Sequence, residues 1–376
     1  MGAKLHTSPN RSETDKTAAF KPVDTLMRQA VADGIFPGGV LHVSKNLNVR
    51  LLKSYGRADI FANQKMTLET VFDLASLTKP LATTPAVMKL IQAGRLELDD
   101  TLGKILPPFR KTAKAPITIR QLLAHDSGLP DYRPYFEILQ KVSFGKRQDQ
   151  LKRLLLKEPL LHPPGRRTLY SDLGFMILQW VVESLSRQRL DRFVAETVFT
   201  PLGLKNLYFI DLAADHRGGA FAATECCHWR GMLLKGAVHD DNAFVMGGIA
   251  GHAGLFGTAR EVYRLLKALL GLYQGRGKRP VIDPVIVRMF LDRPAGAERA
   301  LGFDAPTATG ASCGRYFSSQ SVGHLGFTGT SFWIDLERSV IIILLTNRVH
   351  PSRDNIRIRA FRPALHDAVM ECLTDC

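Results

Sequence analysis

The chain is expected to fold as a mixed α/β (α+β) protein. One antiparallel sheet is assembled from both chain ends, flanked by helices, and carries an inserted, mostly helical region. Three observations predict this. Apolar segments bounded by turn residues fall near the two ends, the middle reads as helix, and the apolar run at residues 340–345 has the length of a buried strand.

Residues 1–16 are polar and are expected to be disordered. Residues 24–32 place Leu26, Met27, Ala30 and Val31 on one side of a helix. Gly38 and Gly39 introduce a strand at 40–43, Lys45-Asn46 turns, and 49–55 returns, which together signal a hairpin. Helices are expected at 81–93, stopped by Gly94, and at 119–123, 175–185 and 261–270. Near the other end, 322–327, 331–335 and 339–346 read as strands, with residues 335–338 turning between the last two. A helix at 360–373 closes the chain. The implied division puts a sheet domain at 17–75 and 256–376 and a helical domain at 76–255, with the active site at their junction.

Of the 376 residues, 45% are hydrophobic and 23% charged, a balance that excludes disorder of the whole chain. The apolar run at 340–345 is far below the roughly 18 residues a bilayer crossing needs, so no membrane span is expected. The net charge of +15 brings nucleic acid, anionic lipid and acidic glycan into consideration. The basic residues are scattered, however, and the densest stretch, 146–157, carries Asp149 and reads as a solvated helix face. No specific nucleic-acid partner is expected.

Five cysteines without a Cys-x-x-Cys suggest incidental thiols in a reducing compartment. The first residues lack an apolar signal region and a cleavage site, so the expected location is cytoplasmic. Cys226, Cys227, His228, His239, Asp240, Asp241 and His252 match no familiar metal-ligand spacing, and no Walker-type loop or His-Glu-x-x-His occurs. Neither metal nor cofactor is expected. Residues 239–242 are alternatively one edge of a substrate pocket. His125-Asp126-Ser127 holds the residue types of a triad, but adjacent residues cannot converge as a triad does, so it reads as a turn.

Three segments can carry chemistry. In Ser76-Leu77-Thr78-Lys79, a helix starting near Ser76 would put Lys79 on the same face. A partly buried lysine near other cationic groups can lose its proton near neutral pH and activate a hydroxyl. A second Ser-x-x-Lys, Ser143 to Lys146, lies in the basic stretch with nothing to support it. Tyr170-Ser171-Asp172 precedes an apolar helix, where Tyr170 could act as a phenolate base or proton shuttle and Ser171 or Asp172 as an N-cap. His324-Leu325-Gly326-Phe327 reads as a strand end. There Gly326 would admit a substrate to the strand edge, and the Phe327 N–H could donate to an oxyanion, unless the glycines serve only the turn.

These motifs, in this order, resemble the serine β-lactamase and penicillin-binding-protein superfamily, most of all its group of class C β-lactamases, DD-carboxypeptidases and family VIII esterases. Residues 121–130 and 247–256 resemble further segments of that group, so the likeness covers roughly residues 20 to 375. The resemblance implies the β-lactamase/transpeptidase-like fold, Ser76 as the acylated nucleophile, Lys79 as its proton acceptor and Tyr170 as partner base and acid. It further implies an oxyanion hole from the Ser76 and Phe327 N–H groups, a pocket lined by Asp172, His324 and Gly326, and hydrolysis of the acyl-enzyme by water. Asp172 stands where the lactamases carry Asn, and His324 where they carry Lys. Both changes weaken recognition of a β-lactam's acid group. The expected substrate is therefore a small ester, amide or D-amino-acid peptide rather than a β-lactam turned over efficiently. A catalytically idle scaffold or sensor of the same fold, and a polyanion-binding basic protein, are the competing classes. Oligomeric state is not set by any residue pattern in the chain.

Overall fold

The computed structural model describes residues 19–214, 218–276, 280–294, 296–307 and 309–374. The segment expected to be disordered, 1–16, lies outside the described residues.

The chain enters through helix α1 (Lys21–Ala32), which buries Val23, Met27 and Ala30. The first hairpin follows as β1 (Gly38–Lys45) and β2 (Asn48–Asp59), with the short β3 (Gln64–Lys65) beyond it. The last strands are β4 (Val322–Leu325), β5 (Ser331–Asp335) and β6 (Val340–Thr346). All six form one antiparallel sheet in the order β3-β2-β1-β6-β5-β4, so first and last strands pair at its centre, with Val40 opposite Leu345.

The apolar run is this central strand. All seven residues of β6 are buried, because both of its faces are covered. Ile342 and Leu344 pack with Met27, Phe361, Leu365 and Val369, the last three from α2 (Ile358–Thr374). Ile341, Ile343 and Leu345 face the other way, into the cluster that holds Val262, Leu265, Leu266 and Leu269 of the helix Ala259–Tyr273. Alternation along one strand thus divides two apolar layers.

Between the sheet's two halves the longer regular elements are helices, among them Thr84–Gln92, Phe144–Lys157, Asp172–Ser186 and Pro284–Leu291. A small three-stranded sheet also occurs there, with Leu255–Gly257 between Phe72–Asp73 and Leu207–Phe209. No helix among the described residues is long and apolar enough to cross a membrane.

Candidate active site

Ser76 lies at the exit of the small sheet. Phe72–Asp73 is paired with Leu255–Gly257, and the Leu74 N–H donates to the Leu255 carbonyl at 2.9 Å. The chain then turns through Ala75, whose φ of +48° is in the left-handed region. For a non-glycine residue that costs roughly 1–3 kcal/mol and needs support from its surroundings. Asp73 supplies it. The carboxylate is buried, with Oδ1 accepting from the Ala75 N–H at 2.8 Å and Oδ2 from the His239 N–H at 2.6 Å. Thr328, Thr330 and Thr78 hydroxyls donate to the carbonyls of Asp73, Leu74 and Ala75 at 2.8, 3.1 and 2.6 Å. Every carbonyl leading to Ser76 is thereby fixed by a side chain.

Lys79 opens a stretch of π-helical turn, Lys79–Thr83, that runs into the helix Thr84–Gln92. Pro80 and Pro85 each lack the N–H that regular α-helix uses, and the widened turn lies between them. The Lys79 side chain is wholly buried. Its ammonium donates to Ser76 Oγ at 3.1 Å and to the His252 carbonyl at 3.1 Å, and pairs with Asp172 Oδ1 at 2.6 Å. Burial alone would push this ammonium down, but Asp172 and then Tyr170 outweigh it, and its pKa is pushed up to about 12.

The expectation of a lysine deprotonated by cationic neighbours is therefore corrected: its nearest charged neighbour is a carboxylate, and Lys79 is held as a cation. Burial pushes the Tyr170 phenol up, to about 12, against the opposing charge of Lys79.

Tyr170 and Asp172 are placed by the helix Asp172–Ser186, which Ser171 caps by accepting from the Gly174 N–H at 3.3 Å. The Tyr170 phenol lies beside Ser76 and Lys79, whose polar groups favour its charged form, and the Lys79 ammonium sits 4.8 Å from the ring centroid. His125 holds this segment from behind. Its Nδ1 accepts from the Ser171 N–H at 2.9 Å, and its ring lies 4.6 Å from the Tyr170 ring. Burial holds His125 well below the usual imidazole range, so it is neutral, as an acceptor nitrogen requires. The segment read as a turn is a turn, with His125 at φ +60°.

At the end of β4, Gly326 carries no side chain for a packing reason. A Cβ there would lie 2.0 Å from Thr330 Oγ1 and 2.7 Å from the Leu74 carbonyl oxygen. The outer edge of β4 is met at Gly323 by Asp304, which exchanges backbone hydrogen bonds with it at 2.7 and 2.9 Å. Among the described residues, neither the Ser76 nor the Phe327 backbone N–H donates to another backbone group. His324 is buried, and its Nδ1 faces the Leu325 carbonyl at 2.9 Å. A carbonyl only accepts, so Nδ1 carries the proton and Nε2 is left as an acceptor. Burial lowers the His324 pKa to about 4.

Ser76, Tyr170 and Phe327 border two clefts of about 400 Å³ each. One is lined by Asp172, Asp240, Asp241, Tyr132 and His239. Of residues 239–242, the first three edge this cleft, while the Asn242 amide is spent on the Phe136 N–H and the Arg133 carbonyl. Asp240 caps the short helix Asp241–Val245 and faces His252 Nε2 at 3.0 Å. Asp241 is paired with Arg230 and Arg353, and Arg353 also clamps Glu225, the partner of His239. The other cleft is lined by His324, Gly326, Arg299, Arg348, Arg359 and Arg362.

The structure brings the seven residues singled out from the sequence to one place. It adds Asp73, Thr78, His125, Thr328 and Thr330 as positioning residues. Asp73 had a local signal, an Asp two residues before a turn, but the threonines and His125 act across a fold that spacing does not reveal. Ser143 of the second Ser-x-x-Lys is merely the residue before the helix Phe144–Lys157.

The family model described as Beta-lactamase matches residues 23–365. A relative from Salmonella agona (strain SL483), provisionally named D-alanyl-D-alanine carboxypeptidase, is 31% identical over 356 residues, spanning 87% of this chain and 82% of its own. One from Salmonella schwarzengrund (strain CVM19633) with the same name is 32% identical over the same length. Among solved structures, EstCE1, described as a hydrolase with promiscuous acyltransferase activity, is similar with a TM-score of 0.71 and 23% identity, covering 93% of this chain and 100% of that one. An octameric penicillin-binding protein homologue from Pyrococcus abyssi also gives 0.71, at 20% identity, covering 94% of this chain and 77% of that one. At these identities the structural likeness speaks for the fold.

Proposed function

Because the chain belongs to the β-lactamase family, we propose that it is a serine hydrolase that acts through an acyl-enzyme on Ser76. Its substrates in this reading are small esters, amides or D-amino-acid peptides, turned over in preference to β-lactams. The observation that carries the reading is the contact of Ser76 Oγ, at 3.1 Å, with an ammonium that is wholly buried, paired with Asp172 and set over the Tyr170 ring.

In the proposed reaction, Ser76 Oγ attacks the substrate carbonyl carbon, and its proton passes to the Lys79–Tyr170 pair. The Ser76 and Phe327 N–H groups hold the oxyanion. The C–O or C–N bond then breaks, and Tyr170 returns the proton to the departing oxygen or nitrogen. Water attacks the acyl ester, its proton travels through the same pair, and Ser76 regains its hydroxyl. Since Lys79 and Tyr170 are both protonated at rest, the pair has to release a proton before it can accept one, so the rate should climb with pH above neutrality.

The test is a screen of short p-nitrophenyl esters and D-alanyl-D-alanine peptides on wild-type protein and Ser76→Ala. The expected result is turnover by the wild type and none by the variant, with an unchanged circular dichroism spectrum. Turnover retained in Ser76→Ala would remove the nucleophile from the account.

A further inference from the structure

The second cleft beside Ser76 carries more positive charge than its own acids balance. Arg299 is paired with Asp304. Arg348, Arg359 and Arg362 have no carboxylate partner among the described residues. Arg348 spends its donors on the carbonyls of Phe327, Arg353 and Asn355. Glu225 is the one acid that favours its charge, and that carboxylate is already clamped by Arg353.

Arg362 is buried, donates once to the Thr330 carbonyl at 3.2 Å, and its Nε has no partner. Burial, and then Arg348 and Arg359, lower its pKa to about 10. Three guanidinium groups lining one cleft without a carboxylate partner, one of them buried, are unfavourable unless an anion joins them.

We infer that this cleft binds a doubly negative group of the substrate, a dicarboxylate or a phosphate, with Arg362 at its buried end and Arg359 at its exposed rim. A single carboxylate would offset one of the three unpaired charges and leave the cleft cationic. Arginine presents paired donors in a fork that suits either kind of oxyanion. That the bound molecule is a substrate rests on the hydrolase reading, whereas binding itself does not.

The test uses Ser76→Ala, in which a bound molecule cannot be consumed, at fixed ionic strength. Calorimetric titrations compare glutarate and inorganic phosphate with butyrate, a monoanion of similar reach to glutarate. One dianion is expected to bind about tenfold or more tightly than butyrate, since each charge-assisted hydrogen bond contributes on that order. Preference for glutarate assigns two carboxylates, and preference for phosphate assigns a phosphoryl group. Adding Arg359→Gln, a change at an exposed position, should weaken the favoured dianion about tenfold. Equal affinity for dianion and monoanion, no binding of either dianion, or no effect of Arg359→Gln would overturn the inference. Hydrolysis of a neutral ester by the wild type is measured alongside. Its absence with dianion binding intact removes the hydrolase reading and leaves the anion site standing.

Discussion

Lys79 governs the electrostatics around Ser76, and its own state is set by a residue 93 positions away in sequence. Asp172 at 2.6 Å is the largest influence keeping the ammonium charged against burial. Replacing the carboxylate by an amide removes that charge while keeping the shape. The pKa of Lys79 should then fall, the pair's free-base form should appear at lower pH, and the alkaline rise of esterolysis in Asp172→Asn should shift toward acid. An unshifted pH–rate profile would show that Asp172 does not control the titrating group. Lys79→Ala is expected to lower the rate at neutral pH by about two orders of magnitude or more, and a near-wild-type rate would take Lys79 out of the mechanism. Ser76, Lys79 and Tyr170 were legible in the sequence because their motifs are local. The protonation state of Lys79 was not, because it depends on a carboxylate that only the fold delivers.

At the scale of elements, the site depends on the turn between Phe72–Asp73 and the π-helical stretch at Lys79–Thr83. Asp73 satisfies two backbone N–H groups there, at 2.8 and 2.6 Å, from inside the protein. Asp73→Ala leaves both unpaired, so it should lower stability by about 2–5 kcal/mol in denaturant unfolding and cut turnover as Ser76 loses its fixed turn. Full stability in this variant would show that the strain at Ala75 needs no such anchor. Gly326→Ala tests the junction from the other side. Its methyl group would press on Thr330 Oγ1 and the Leu74 carbonyl, so the midpoint of thermal unfolding should fall. Five strands of the large sheet and most of the longer helices followed from apolar spacing and glycine punctuation, whereas the three-stranded sheet that leads to Ser76 did not. The widened turn did not, since the prolines signal an irregularity without specifying its form.

For the whole molecule, the central pairing of β1 with β6 means that neither end of the chain completes the sheet alone. A fragment ending at residue 320 would lack β4, β5 and β6 and expose the apolar layers on both faces, so it should be aggregated or unfolded by size-exclusion chromatography. This joining of the ends was readable because strands cluster there. The separation of charge between two clefts was not, since its arginines and aspartates come from distant segments. The reactivity of Ser76 belongs to this scale as well, because Lys79, Tyr170 and the N–H groups of Ser76 and Phe327 come together only in the folded chain. The central claim is therefore tested most directly by peptide-mapped mass spectrometry after treatment with a fluorophosphonate, comparing native with denatured protein. The account predicts one adduct, on Ser76, present in the folded protein and absent after denaturation. No adduct on folded protein, or labelling that survives denaturation, would contradict it.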